Sequence, residues 1–265
     1  MAERYNCCYF AAIISAMRLF FLFSGLLITV IANSQIVNIE SSRIQSDTTG
    51  WAGSGGASFS LAQNTQQITA ASVEAHLQYK TQKDLWLILG DYGFLKGGAE
   101  KFLANSFAHV RYNRKLNKWL RWEAFTQVQS NHITQIRSRY LTGTGPRFKL
   151  ISAKKFRLYA ASLMMYEHET ERIKPVIKHN NLRSSSYISF TFLPAENIEL
   201  ISTTFFQPLY NNLSDRRWFN QSILRVKANT HFSLYIKWNY LYDRKPAGTA
   251  PKTTYQLISG FSLEF

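Results

Sequence analysis

The chain has 265 residues, 31 of them basic and 16 acidic, giving a formal net charge of +15, and 46% of its residues are hydrophobic. A basic excess of this size fits a nucleic-acid binder, an anionic membrane surface or an anion-attracting cavity. No zinc-finger spacing, helix-turn-helix or RNA-binding sheet motif is present, and the export signal at the start of the chain removes nucleic acid as a partner.

Residues 19–32 (LFFLFSGLLITVIA) form one apolar run of 14, preceded by Met17 and Arg18 and followed by Asn33, Ser34 and Gln35. A positive n-region, an h-region too short to span a bilayer comfortably and a small-residue site describe a signal peptide, cleaved between Ser34 and Gln35. Met17 is an alternative start, which would make residues 1–16 an upstream extension. The two cysteines, Cys7 and Cys8, lie before the h-region, so the mature chain has no lipoprotein anchor and no disulfide. Cleavage takes away Arg4, Arg18 and Glu3 and leaves a net charge of +14. Residues 35–49 read as a polar periplasmic lead-in.

From residue 50 onward the apolar period is two residues, the period of a strand. In Phe232-Ser-Leu-Tyr-Ile-Lys-Trp-Asn-Tyr-Leu-Tyr242, Phe232, Leu234, Ile236, Trp238, Tyr240 and Tyr242 share one face, while Ser233, Lys237 and Asn239 share the other. Segments of this kind are predicted near 50–61, 67–80, 84–94, 102–114, 118–130, 136–150, 155–168, 182–193, 197–209, 217–227, 231–242 and 253–265. Most exceed the ~5–6 residues usual in a sandwich and reach the ten or so that a tilted membrane strand needs. Twelve such strands predict an all-β, antiparallel, up-and-down transmembrane β-barrel over 50–265, following the 1–34 signal and the 35–49 lead-in. Connections after even-numbered strands are tight, at 81–83, 116–117, 152–154, 194–196 and 228–230. Those after odd-numbered strands include three long ones, 169–181, 210–216 and 243–252. Short turns facing the periplasm and long loops facing outside place both termini on the periplasmic side.

If Leu120, Trp122, Ala124 and Val128 meet lipid, then Arg121, Glu123, Phe125 and Gln127 point inward. The same parity turns Glu74, His76, Arg111, Arg139, Arg147, Lys149, Arg225 and Lys237 into the lumen, and a basic group on the lipid face at mid-depth would cost about 2–4 kcal/mol. Two arrangements suit this interior. In one, the cations pair with Glu123, Glu74 and Glu264 across a largely filled barrel. In the other, an unneutralised excess lines a narrow pore and favours small anionic solutes. Gly143 and Gly145, on the same inner face, mark a bend or a close approach, with room for arginine or aromatic side chains from neighbouring strands. The six tryptophans suit interfacial girdles.

Enzymatic signals are thin. Ser130 and His132, two apart near the outer rim, are similar to the Ser and His of barrel lipid hydrolases, but the order departs from His-x-Ser and no third group orients the histidine. Glu167, His168, Glu169 and Glu171 could hold a cation at a loop mouth. Arg172, Lys174 and Lys178 follow at once and favour a solvated, self-paired loop.

The stretch 107–131 (FAHVRYNRKLNKWLRWEAFTQVQSN), with 139–150 (RYLTGTGPRFKL), resembles the DUF481 family, described as salt-induced outer-membrane proteins. Phe156-Arg-Leu-Tyr159, Met165-Tyr-Glu-His168, Ser185-Ser-Tyr-Ile-Ser-Phe190 and Thr203-Thr-Phe-Phe-Gln-Pro208 are similar to its Bacteroidetes-type members. The resemblance implies an outer-membrane barrel and brings no catalytic residue and no cofactor. The final segment agrees: Tyr255, Leu257, Phe261, Leu263 and Phe265 alternate with polar or small residues and end on an aromatic. This ending resembles the carboxy-terminal signature of Gram-negative outer-membrane barrels, with Phe261, Leu263 and Phe265 as the signal read by the barrel assembly machinery. The sequence thus predicts a monomeric barrel in the outer-membrane bilayer, structural or passing small anions, with a lipid hydrolase and a surface adhesion barrel as alternatives.

Overall fold

The computed structural model describes residues 49–264 apart from 64–66, 98–100 and 133. The chain forms twelve antiparallel strands: β1 (Gly50–Gln63), β2 (Gln67–Lys80), β3 (Asp84–Gly97), β4 (Lys101–Lys115), β5 (Leu120–Asn131), β6 (Ile136–Ser152), β7 (Phe156–Glu171), β8 (Lys178–Ala195), β9 (Ile198–Leu209), β10 (Asn212–Lys227), β11 (Phe232–Asp243) and β12 (Thr253–Glu264). Each pairs with its neighbours in sequence, and β1 meets β12 through Ser54 with Glu264 and Gly55 with Leu263, so the sheet closes on itself. Closure is what allows strands to cross a membrane, because every ladder then has a partner within the protein. The signal segment, the lead-in and Phe265 fall outside the described residues.

Alternation sorts the side chains as a transmembrane barrel requires. All six tryptophans are exposed on the outside, and they pack laterally: Trp51 on Tyr79 with ring centroids 4.8 Å apart, Trp86 on Tyr112 at 4.6 Å and Trp218 on Phe206 at 4.4 Å. Trp51, Trp86, Trp119 and Trp122 lie at the short-turn end, Tyr140 and Tyr166 toward the other, where amphipathic rings meet the headgroup layer.

Two expectations about loops need correction. The connection expected at 210–216 is a turn of Tyr210 and Asn211, because β10 starts at Asn212 and absorbs the extra residues as a register shift between Asn212 and Arg216. The loop expected at 169–181 shrinks to 172–177, since β7 continues to Glu171 and β8 begins at Lys178. The alternation of β7 runs unbroken from Leu163 through Met165 and Glu167 to Glu169, and those carboxylates are strand residues facing inward. They belong to no solvated loop mouth.

Candidate functional site: a charged and apolar interior

Interior side chains lie in three layers. The layer nearest the longer loops is ionic. The Glu167 carboxylate, fully buried on β7, accepts from Arg183 Nε at 2.7 Å and from Arg217 Nη1 at 2.5 Å, and pairs with Arg139 Nε at 3.0 Å. Arg139 also donates to Glu169, Arg217 Nε to Asp243 Oδ2 at 2.7 Å, and Arg183 Nη2 pairs with Asp215 Oδ1 at 3.0 Å. Three guanidiniums thus share four carboxylates across β6, β7, β8, β10 and β11. Arg139 and Arg183 are each 2% exposed. Charges this deep persist only when paired in good geometry, because the desolvation of each ion is repaid by several hydrogen bonds at once.

Below it lies an apolar layer of Phe125, Leu141, Ala161, Leu163, Met165, Phe205, Phe219 and Leu241, all buried. Beneath that, the fully buried Glu123 on β5 accepts from Arg111 Nη1 at 3.1 Å and from the Tyr187 hydroxyl at 2.8 Å, with Arg147 Nε at 3.6 Å. Tyr187 is on β8, three strands from β5, and the small side chains between them let it reach. Glu123 is in register with Gly145 on β6, and Tyr187 with Ala161 on β7. A Cβ on Gly145 would run into the Ser162 carbonyl, and one on Gly143 would sit 2.6 Å from the Phe125 ring. Gly145 is thus a close backbone approach, and Gly143 makes room for an aromatic ring. The Arg147 guanidinium stacks over Tyr159, 3.8 Å from its centroid, and Arg111 lies over Phe125.

Toward the β1–β12 seam the packing is looser. Lys237 Nζ lies 3.7 Å from Glu74, whose side chain is 43% exposed, and Glu74 stands opposite Asp91 in the β2–β3 ladder. Arg225 donates to Glu199 at 2.9 Å. His76 is buried on β2 and shares a cross-strand row with Leu89 and with His109, whose Nδ1 lies 3.0 Å from Gln127 Oε1. Arg121 and Lys149 are partly buried near the short-turn end.

Among the residues selected from sequence, Glu123 gathers Arg111 and Arg147, Glu74 meets Lys237, and Arg139 joins the ionic layer. Glu264 is placed by backbone register alone. Sequence reasoning missed the members that hold most of the ionic layer together: Glu167, Glu169, Arg183, Asp215, Arg217 and Asp243. Applied across the predicted strands 155–168, 182–193 and 217–227, the parity that selected Arg225 would have found Glu167, Arg183 and Arg217. Phe261 and Leu263 are about half exposed on the outer face of β12.

Ser130 and His132 do not engage each other as nucleophile and base. The Ser130 hydroxyl accepts from Arg172 Nη2 at 3.1 Å, and His132 Nδ1 lies 2.6 Å from the Ala104 carbonyl. At the end with the longer loops, three of the connections are tied to one another through Gln135, Glu171 and Arg172. Thr249 N–H donates to Gln135 Oε1 at 3.0 Å, Gly248 N–H to Glu171 at 3.0 Å, and Arg172 N–H to the Gln135 carbonyl at 2.7 Å.

The model of the family described as "Protein of unknown function, DUF481" matches residues 52–265. The chain belongs to that family. Among solved structures, DUF481 residues here superpose on the NanC porin with a TM-score of 0.50 at 12% identity, covering 81% of this chain and 98% of that one. The COG4313 outer membrane channel from Pseudomonas putida F1 gives 0.48 at 8% identity, covering 83% and 97%. LpxR from Salmonella typhimurium gives 0.46 at 7% identity, covering 82% and 100%. These likenesses concern the barrel fold. No curated protein matches the chain.

Proposed function

We propose that this DUF481 protein is an outer-membrane barrel without enzymatic activity, exported by its signal peptide, delivered to the bilayer by the barrel assembly machinery as a monomer, and closed to passive solute flow. The observation that carries this reading is the burial of the charged interior. A water-filled lumen would leave its lining exposed to solvent, whereas Arg139, Arg147 and Arg183 are each 2% exposed and Glu123 and Glu167 are 0%. The basic excess that favoured an anion pore is spent elsewhere. Seven inward-facing cations, Arg111, Arg139, Arg147, Arg183, Arg217, Arg225 and Lys237, have carboxylate neighbours, and exposed cations such as Lys83, Arg114, Lys118, Lys154, Lys174, Arg244 and Lys252 sit at the two rims.

Single-channel recording tests this directly. The purified barrel should be silent in a planar bilayer, and steady anion-selective steps in the wild type would refute a closed interior. A second reading rests on the half-exposed Glu74: a narrow passage along the seam side, lined by Glu74, Asp91 and Lys237. Its mixed charge would give small conductance without strong anion preference.

A further inference from the structure

The sheet departs from regularity where β5, β6 and β7 reach the outer rim. Ile136 pairs with Glu171 and Ser138 with Thr170, so Arg137 is the extra residue of a bulge, a device that re-aims a side chain. It is exposed. Beside it, Arg172 leaves the end of β7 and lays its guanidinium across β6 to reach Ser130 Oγ on the outward face of β5. The Arg172 Nε is buried with no hydrogen-bond partner, and neither arginine is in the ion pairs found among the described residues. Burial and the like charge of Arg137 both lower the Arg172 pKa from its ordinary value. Two arginines brought side by side by the bulge and by the Arg172 N–H bond to the Gln135 carbonyl, with a donor left unused, form an arrangement that an anion would complete. The outer face below carries Val128, Tyr140, Met164 and Tyr166, all exposed, a surface suited to acyl chains beneath a headgroup.

We infer that Arg137, Arg172 and Ser130 form a binding site for the phosphate of a lipid headgroup in the leaflet at the longer-loop end. The fork of a guanidinium matches a phosphate bidentately, the second guanidinium neutralises the remaining charge, and the serine hydroxyl supplies a further donor. In the outer membrane assigned above, that leaflet would present a phosphorylated glycolipid, so the identity of the lipid rests on that location, while the phosphate chemistry does not.

The test uses the full-length mature barrel in detergent micelles, with retained lipid counted by native mass spectrometry. Bisphosphorylated lipid A, its dephosphorylated form and inorganic phosphate are the three probes. The phosphorylated lipid should be retained and the dephosphorylated one lost. Arg137→Gln, a change at an exposed residue that leaves the ladder intact, and Arg172→Gln should each weaken retention at least about tenfold. Heat-modifiable migration of the variants verifies that they are folded. Equal retention of both lipid forms, or unchanged retention in folded Arg137→Gln, would overturn the site. Inorganic phosphate displacing the lipid at equal concentration would reassign it to a free anion. Because the assay runs in micelles, its failure leaves the outer-membrane location standing, and mislocalisation in cells leaves the phosphate site standing.

Discussion

Glu167 shows why a buried charge is hard to alter alone. Its carboxylate serves Arg139, Arg183 and Arg217 at once, and removing it would strip each of three buried guanidiniums of an ion-pair partner. Glu167→Ala should therefore cost about 3–5 kcal/mol, read as a lowered unfolding midpoint in detergent by heat-modifiable gel migration. Glu167→Gln keeps the shape and one acceptor oxygen and should cost less. Tyr187 offers a milder case. Tyr187→Phe removes one donor from Glu123 while Arg111 and Arg147 remain, and a loss of about 1–3 kcal/mol is expected by the same measurement. A loss in Tyr187→Phe as large as in Glu167→Ala would show that the hydroxyl, rather than the ion pairs, organises the inner layer.

Elements report orientation. β8 runs from Lys178, beside the 172–177 loop, to Ala195, beside the two-residue turn that leads into β9, so its ends lie at opposite rims. A protease-sensitive tag inserted at Lys174 should be cut on intact cells, and one inserted after Ala195 should be protected until the cells are opened. The reverse pattern would invert the topology. The alternation that made the strands legible is strongest where one face is lipid and the other a packed interior, as in β5 and β11. Strand ends were harder to place. At Glu167 to Glu171 a run of acids beside Arg172 and Lys174 has the composition of a loop, yet it remains in strand, where Glu167 and Glu169 meet guanidiniums from β6, β8 and β10 inside the barrel and Glu171 meets His179 and the Gly248 N–H. The stretch 212–216 likewise has turn composition but is held in β10 by a bulge.

For the molecule as a whole, closure depends on β12, which pairs with β11 along its length and with β1 through two residue pairs near its end. Phe261 and Leu263 present an apolar outer face there, and Phe265 follows them. Deleting Phe265 should impair assembly while leaving export intact, seen as loss of the heat-modifiable form from outer-membrane fractions; a normal yield would remove the terminal aromatic from the assembly signal.

Period, strand number and the inward face could be read from the amino-acid sequence because each rests on local geometry: successive side chains of a strand point to opposite sides, and charge at mid-depth is costly on the side that meets lipid. The inward parity of Arg111, Glu123, Arg139 and Arg147 is of this kind. Which charge meets which was decided only by the tertiary structure. Barrel curvature brings Arg139, Arg183 and Arg217, from three strands, onto one carboxylate of β7, and sets Tyr187 against Glu123 across two intervening strands. The net charge of the chain is a sum over all residues and carries no positions, so it could not show that the interior is paired and the excess lies at the rims. Pairing is a property of distances between strands, and those exist only once the sheet has closed.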